Sequence, residues 1–164
     1  MRLARNTMRR RAAHAVEFAI VCPVVLLLLF GILEYCRYLM TLHVTDNAAR
    51  EGARHALART DTFQTGESTA SIQAKTQEYI KSCGLQLVST QVNVYKSNMF
   101  GEPLDLNGNV QSSFTTAASF DDTTFGDYIT VQITGTYEPV LPSFMWLAPA
   151  ITVTATATMC SEGN

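Results

Sequence analysis

The chain has 164 residues, which fits one modest globular domain plus an anchor, and a formal net charge of −2. The small net charge hides an asymmetry. Five of the 12 basic residues, Arg2, Arg5, Arg9, Arg10 and Arg11, precede the first acid, Glu17, while ten acids face three lysines from Asp61 onward. A basic end suits anionic phosphates, of nucleic acid or of lipid headgroups. Nucleic acid is disfavoured here, because no fold-forming segment surrounds the arginines.

Residues 18–33 read FAIVCPVVLLLLFGIL, without a charge or a strongly polar group. Extended back to Ala12, the stretch is interrupted only by His14 and Glu17 and spans about 33 Å as a helix, the thickness of a bilayer core. A soluble domain of this size has no means of burying a helix that is apolar all round. The arginines then act as a cytoplasmic anchor, with the N-terminus inside and the C-terminal domain outside. No small-x-small cleavage site comes after the apolar run, and neither Cys22 after Val21 nor Cys36 after Tyr35 fits a lipoprotein signal, so the segment is expected to stay as a transmembrane helix. Within it Glu17 is out of place, since a carboxyl group in the bilayer costs several kcal/mol at depth and less near the interface. Either it sits at headgroup level beside the arginines, or it pairs with a positive charge on another molecule.

The helix is expected to continue to residue 59, because residues 35–59 contain no proline and one glycine, Gly52. Tyr35, Tyr38, Leu39, Leu42, Ala49, Gly52, Ala53 and Ala56 form an apolar stripe at three-and-four spacing, small at its lower end so that another element can approach closely. Asp46 and Arg50 have the spacing of a helical ion pair. After a loop, residues 69–83 predict a second helix with Ile72, Thr76, Tyr79, Ile80 and Cys83 on one face, ended by Gly84. Strands are predicted over residues 87–95, 128–138 and 151–159. In the last two, Ile129, Val131, Ile133 and Tyr137, and Ile151, Val153, Ala155, Ala157 and Met159, alternate with threonines. Residues 97–127 read as loops with one weak strand at 110–116, and the proline-rich residues 139–150 join the last two strands into an antiparallel pair. The fold class is α+β: a long helix, transmembrane then amphipathic, laid on a small antiparallel sheet. The segments are a basic leader at 1–12, a transmembrane helix at 13–34, its amphipathic extension at 35–59 and an exported domain at 60–164.

Few residues point to chemistry. His14, His43 and His55 are too scattered for a metal-ligand pattern, and Asp121, Asp122 and Asp127 lack the glycine and acid spacing of a calcium loop. No metal or other cofactor is expected. Cys22 and Cys36 share a helix face and fit membrane packing, with an intermolecular disulfide as the second reading. Phe144, Met145, Trp146 and Leu147 fit either contact with lipid or a partner or, more commonly for such a cluster, packing under its own sheet. There is no nucleotide loop, no pair of catalytic carboxylates and no Ser-His-Asp or Cys-His arrangement, which argues against an enzyme. Cys83 and Cys160, alone in the exported part, are expected to form a disulfide stapling the end of the second helix to the end of the final strand.

The run RRRAAHAVEFAIVCPVVLLLLFGILEYCR, together with the later TDNAAREGAR, resembles the N-terminal part of TadE-like proteins, the minor pilins or pseudopilins of the tight-adherence pilus system. The resemblance covers residues 9–59, and the threonine-rich strand ITVTATATM is similar to the family's ending. It implies cleavage by a prepilin peptidase on the cytoplasmic side, four residues before the glutamate of a Glu-Phe pair. Here that pair is Glu17 and Phe18, which makes Ala13 the first mature residue and Ala12 the residue before the cut. The family usually has glycine there; alanine is the next smallest choice. The new amine of Ala13 would pair with Glu17 of a neighbouring subunit and set helix register. Implied partners are the prepilin peptidase, other pilin subunits, the inner-membrane assembly platform and the lipid bilayer. The implied location is the cytoplasmic membrane and the assembled pilus. Two alternatives share these residues: an unprocessed single-pass envelope-anchored binding protein, and a pseudopilin of a secretion system.

Overall fold

A computed structural model describes residues 2–60, 68–84, 87–123, 126–140 and 150–160. Helix α1 runs unbroken from Arg2–Thr60, about 88 Å at 1.5 Å per residue. Its end agrees with expectation, but its start lies at Arg2 rather than Ala12, so the arginine leader belongs to the helix. Arg, Leu, Met and Ala are good helix formers, and no glycine or proline occurs before Pro23. Pro23 stands inside the helix without ending it.

Helix α2 covers Thr69–Ser82, and three strands come after it: β1 at Val88–Ser97, β2 at Tyr128–Tyr137 and β3 at Ile151–Cys160. The sheet order is β1-β2-β3, antiparallel throughout, with Val94 opposite Val131 and Ile133 opposite Ala155. The expected α+β plan and the pairing of the last two strands both hold. A bulge interrupts β1 between Val88 and Gln91, where Ser89 takes a left-handed φ of 56°. The weak strand expected at 110–116 is instead a bridge between Leu104 and Val110 and then a 3-10 turn at Phe114–Thr116. Asp105 organises that short hairpin. Its carboxylate accepts the backbone N–H groups of Asn107 and Asn109, each at 2.8 Å, and the bonds from Asn109 hold its pKa below the usual carboxylate range.

Both helices cover one face of the sheet. Ala48, Ala49, Ala53 and Ala56 of α1 and Ile72 and Ile80 of α2 close over Val92, Val94, Ile129, Val131, Ile133, Ala155 and Ala157. The small lower stripe therefore does what its size permits, bringing a helix backbone against a sheet. The upper stripe differs from expectation. Tyr35 is exposed and Leu42 half-buried, and the buried line runs instead through Glu34, Thr41 and Thr45. Thr41 donates to the carbonyl of Arg37 at 3.0 Å and Thr45 to that of Thr41 at 2.7 Å, so each hydroxyl is satisfied within the helix and the residue can be buried. On the far face, residues 98–117 fold back over one end of the sheet. Gly101, at φ 82°, lies where a Cβ would come within 2.9 Å of Thr158 Oγ1, and Thr130 and Ser97 are buried beneath this segment.

The disulfide expected between Cys83 and Cys160 is not formed: both thiols are free. Helix α2 starts beside Ser119 and passes Val92, where Gln73 Nε2 bonds the carbonyl at 2.8 Å, so Cys83 lies toward the Val88 end of the sheet. Cys160 stands opposite Tyr128 at the other end. The strands put about 26 Å between the two ends, far beyond the 7 Å that a bridge allows.

Candidate functional site

Two features of α1 stand out: a bare apolar shaft, and a buried carboxylate where the shaft meets the domain. Along the shaft Val16, Phe18, Ile20, Val24, Leu28, Ile32 and Leu33 are all exposed, Phe18 by 70%. Over His14–Leu57 the helix is long and apolar enough to cross a membrane. None of the shaft's apolar window is buried against the domain, unlike the core helix of a soluble protein. Its length, composition and exposure suit a single-pass membrane anchor.

Glu17 lies near the lower end of the shaft, with its side chain exposed. His14 Nδ1, one turn away, is 3.7 Å from Glu17 Oε2. That contact is an ion pair only when the imidazole is protonated. Ala12 and Ala13 lie on the α1 backbone, their side chains outside the described residues.

At the upper end Glu34 is 8% exposed, at the first position after the apolar run. Its Oε1 accepts the Tyr137 hydroxyl and, at 3.3 Å, the backbone N–H of Val140. Its Oε2 lies 3.6 Å from Arg37 Nη1. Tyr137 ends β2 and packs edge-on against Tyr38 at 5.7 Å between centroids, while the Arg37 guanidinium sits 5.9 Å from the same ring. Two hydrogen-bond donors and a guanidinium thus meet one carboxylate, and Tyr137, one of the donors, is itself flanked by Tyr38 and Arg37, which is how an acid is kept buried beside an apolar helix. The node is a tie between helix and sheet. Nothing in the hydrophobic pattern singled it out; the signal was the acid at the end of the run with arginine three residues on.

The Tyr137 phenol is pushed up to about 12 from 10.0, first by burial and second by its bond to Glu34, with Arg37 opposing. An acid raised on folding stabilises the fold in full below its unfolded pKa. That contribution is lost as pH rises from 10 through 12, by at most about 3 kcal/mol. Tyr137→Phe removes the bond and is expected to cost about 1–3 kcal/mol at pH 8. The gap to the wild type should close toward pH 12. Denaturant titrations of the detergent-solubilised chain across this range measure it; parallel curves would show that Tyr137 does not titrate as described.

The remaining expected residues are placed by their contacts. Asp46 accepts Arg50 Nη2 at 2.8 Å, as the spacing predicted. His43 is exposed, and His55 Nε2 lies 3.3 Å from Glu51. Asp127 is not a solvated loop residue but is held by Lys96 Nζ at 2.7 Å, and Asp121 accepts from Thr69 at 3.3 Å. Cys22 and Cys36 carry free thiols on α1. Phe144, Met145, Trp146 and Leu147 lie outside the described residues. Among the described residues no three His, Cys, Asp or Glu side chains are grouped to hold a metal ion.

Searches of curated proteins and of solved structures each return no match. The family model described as TadE-like protein matches residues 13–54. That stretch holds Glu17, the whole shaft, Glu34 and the small-residue stripe as far as Ala53, so it is over residues 13–54 that the chain is similar to TadE-like proteins.

Proposed function

We propose that this protein is a minor pilin, or pseudopilin, of a tight-adherence type pilus. It is anchored in the cytoplasmic membrane with its basic end inside and its sheet domain outside. A prepilin peptidase hydrolyses the Ala12–Ala13 peptide bond, removing the arginines as part of the leader. The mature chain then joins a growing pilus by exchanging lipid around its shaft for the shafts of other subunits. The observation that carries this reading is the shaft itself, apolar on every side, nowhere buried against the domain, and marked by one carboxylate near its lower end. A lone anchor needs no such carboxylate and gains only its insertion cost. The family match adds support, since it starts at residue 13, the residue that the Glu17-Phe18 pair assigns as the mature start.

Intact mass of the protein recovered from membranes tests the reading. With a matching prepilin peptidase present, the chain should begin at Ala13. In Ala12→Leu the larger side chain crowds the scissile backbone, and the protein should keep its full mass. Normal maturation of the leucine variant would remove the proposed cleavage site; full-length wild-type protein in the presence of an active peptidase would leave an unprocessed anchor.

A further inference from the structure

The Glu34 node fixes more than the packing of helix on sheet. It sets the height of the domain above the membrane. The last apolar residue of the shaft is Leu33, and Glu34 is bonded to Tyr137 and Val140, at one end of the sheet. The strands turn at that same end, since Tyr137 stands opposite Ile151. The node therefore lies within one helical turn, about 5 Å, of the end of the apolar run, and the headgroup layer on each side of a bilayer is about that deep.

The groups exposed at this level suit that layer. Tyr35 is 61% exposed and Val140 63% exposed. The Arg37 side chain is 51% exposed, and with one nitrogen 3.6 Å from Glu34 it keeps other donors for a phosphodiester. Tyrosine beside arginine at the end of a membrane helix is the chemistry of an interface anchor. The opposite end of the sheet is distinct: Asp127 is paired there with Lys96, and Leu106 stands in the Asp105 hairpin, about 30 Å along the strands.

We propose that the Val140 end of the sheet, with Tyr35 and Arg37 of α1, is a lipid-docking rim. It rests on the phosphate layer of the leaflet through which α1 leaves the membrane, and Glu34 latches it there. The occupant is the phospholipid surface continuous with the lipid around the shaft. The latch prevents the domain from swinging on α1, so that every membrane-held subunit presents the same face. This rests on the reading of α1 as a membrane anchor.

The test uses the full chain in vesicles of phosphatidylglycerol and phosphatidylethanolamine. None of the four cysteines is bridged, so replacing all four with serine or alanine removes no covalent link. Single cysteines at Leu27, Val140 and Leu106 then carry a polarity-sensitive fluorophore, with quenchers placed on the lipid chains, on the headgroups or in water. The Leu27 probe should be quenched from the chains, the Val140 probe from the headgroups, and the Leu106 probe only from water. In Glu34→Ala and in the milder Tyr137→Phe, headgroup quenching at Val140 should fall while Leu27 quenching stays. Arg37→Gln should weaken Val140 quenching. A Val140 probe quenched only from water, with Leu27 still quenched by lipid, overturns the docking rim and leaves the anchor intact. A Leu27 probe quenched from water removes the anchor itself.

Discussion

Glu17→Gln is expected to leave membrane insertion intact or improved and to cut incorporation into pili by two to three orders of magnitude. The substitution keeps shape and removes charge. Among the described residues the carboxylate has His14 at 3.7 Å, a partner that counts as a cation only when protonated. Removing the charge therefore loses little before assembly, and it removes an acid from an apolar segment. After assembly the balance reverses. Glu17 would face the Ala13 amine of a neighbour in a shaft surrounded by apolar side chains, where breaking one partner of a desolvated pair costs about 3–5 kcal/mol. Each 1.4 kcal/mol is about a factor of ten, which gives the expected loss. Glu17→Asp keeps the charge on a shorter arm and should fall between the two. Immunoblots of sheared pili against membrane fractions give the ratio. Wild-type incorporation of the glutamine variant would show that the carboxylate takes no part in assembly.

The Glu17 and Glu34 carboxylates bracket the shaft and differ in kind. Glu17 is exposed with, among the described residues, the His14 imidazole beside it, whereas Glu34 is buried, bonded by Tyr137 and Val140 and paired with Arg37. On this reading an acid left wanting near one end recruits another subunit, and an acid fully satisfied at the other end fixes the subunit's own domain. The spacing of the two, about 26 Å along α1, is close to the thickness of the hydrocarbon layer.

Much of this was legible in the residues. Sixteen charge-free positions announce the shaft, and alternation over Ile129, Val131 and Ile133 announces the central strand, because both patterns report which groups leave water. The buried polar line through Glu34, Thr41 and Thr45 was not legible. A threonine that bonds the carbonyl four residues back behaves as an apolar residue on its other side, and a hydropathy pattern does not register that bond. The acid at 34 reads as the end of a membrane span until Tyr137, more than a hundred residues later, is brought to it by the sheet. The disulfide failed for a related reason. Two cysteines at element edges look suited to a bridge, but strand order and the direction of α2 decide which edges meet. The hairpin around Asp105 was hidden because its order comes from one carboxylate gathering backbone N–H groups rather than from apolar burial.

Gly52→Val is expected to destabilise the sheet domain by about 3 kcal/mol, near the top of the range for overpacking. Gly52 is the one glycine on the buried stripe of α1, at the point where α1 touches α2 and β2 together. A Cβ there would come within 2.6 Å of Thr76 Oγ1 and 3.2 Å of Val131 Cγ1. Neither neighbour yields easily, because the Thr76 hydroxyl is held at 2.7 Å from the carbonyl of Ile72 and Val131 is fully buried at the centre of the sheet. Gly52→Ala isolates the cause. Alanine improves helix propensity by about 1 kcal/mol, so a net loss in the alanine variant measures the clash rather than the backbone. Thr76→Ala removes the obstructing oxygen, and the pair Gly52→Ala with Thr76→Ala should be more stable than the sum of the single changes predicts, by about 1–2 kcal/mol. Denaturant midpoints of the four full-length proteins in detergent, at constant m, give the cycle. Additive losses would mean that α1 and α2 do not meet at Gly52, and the small stripe would then need another partner, a second subunit's helix being the first to test.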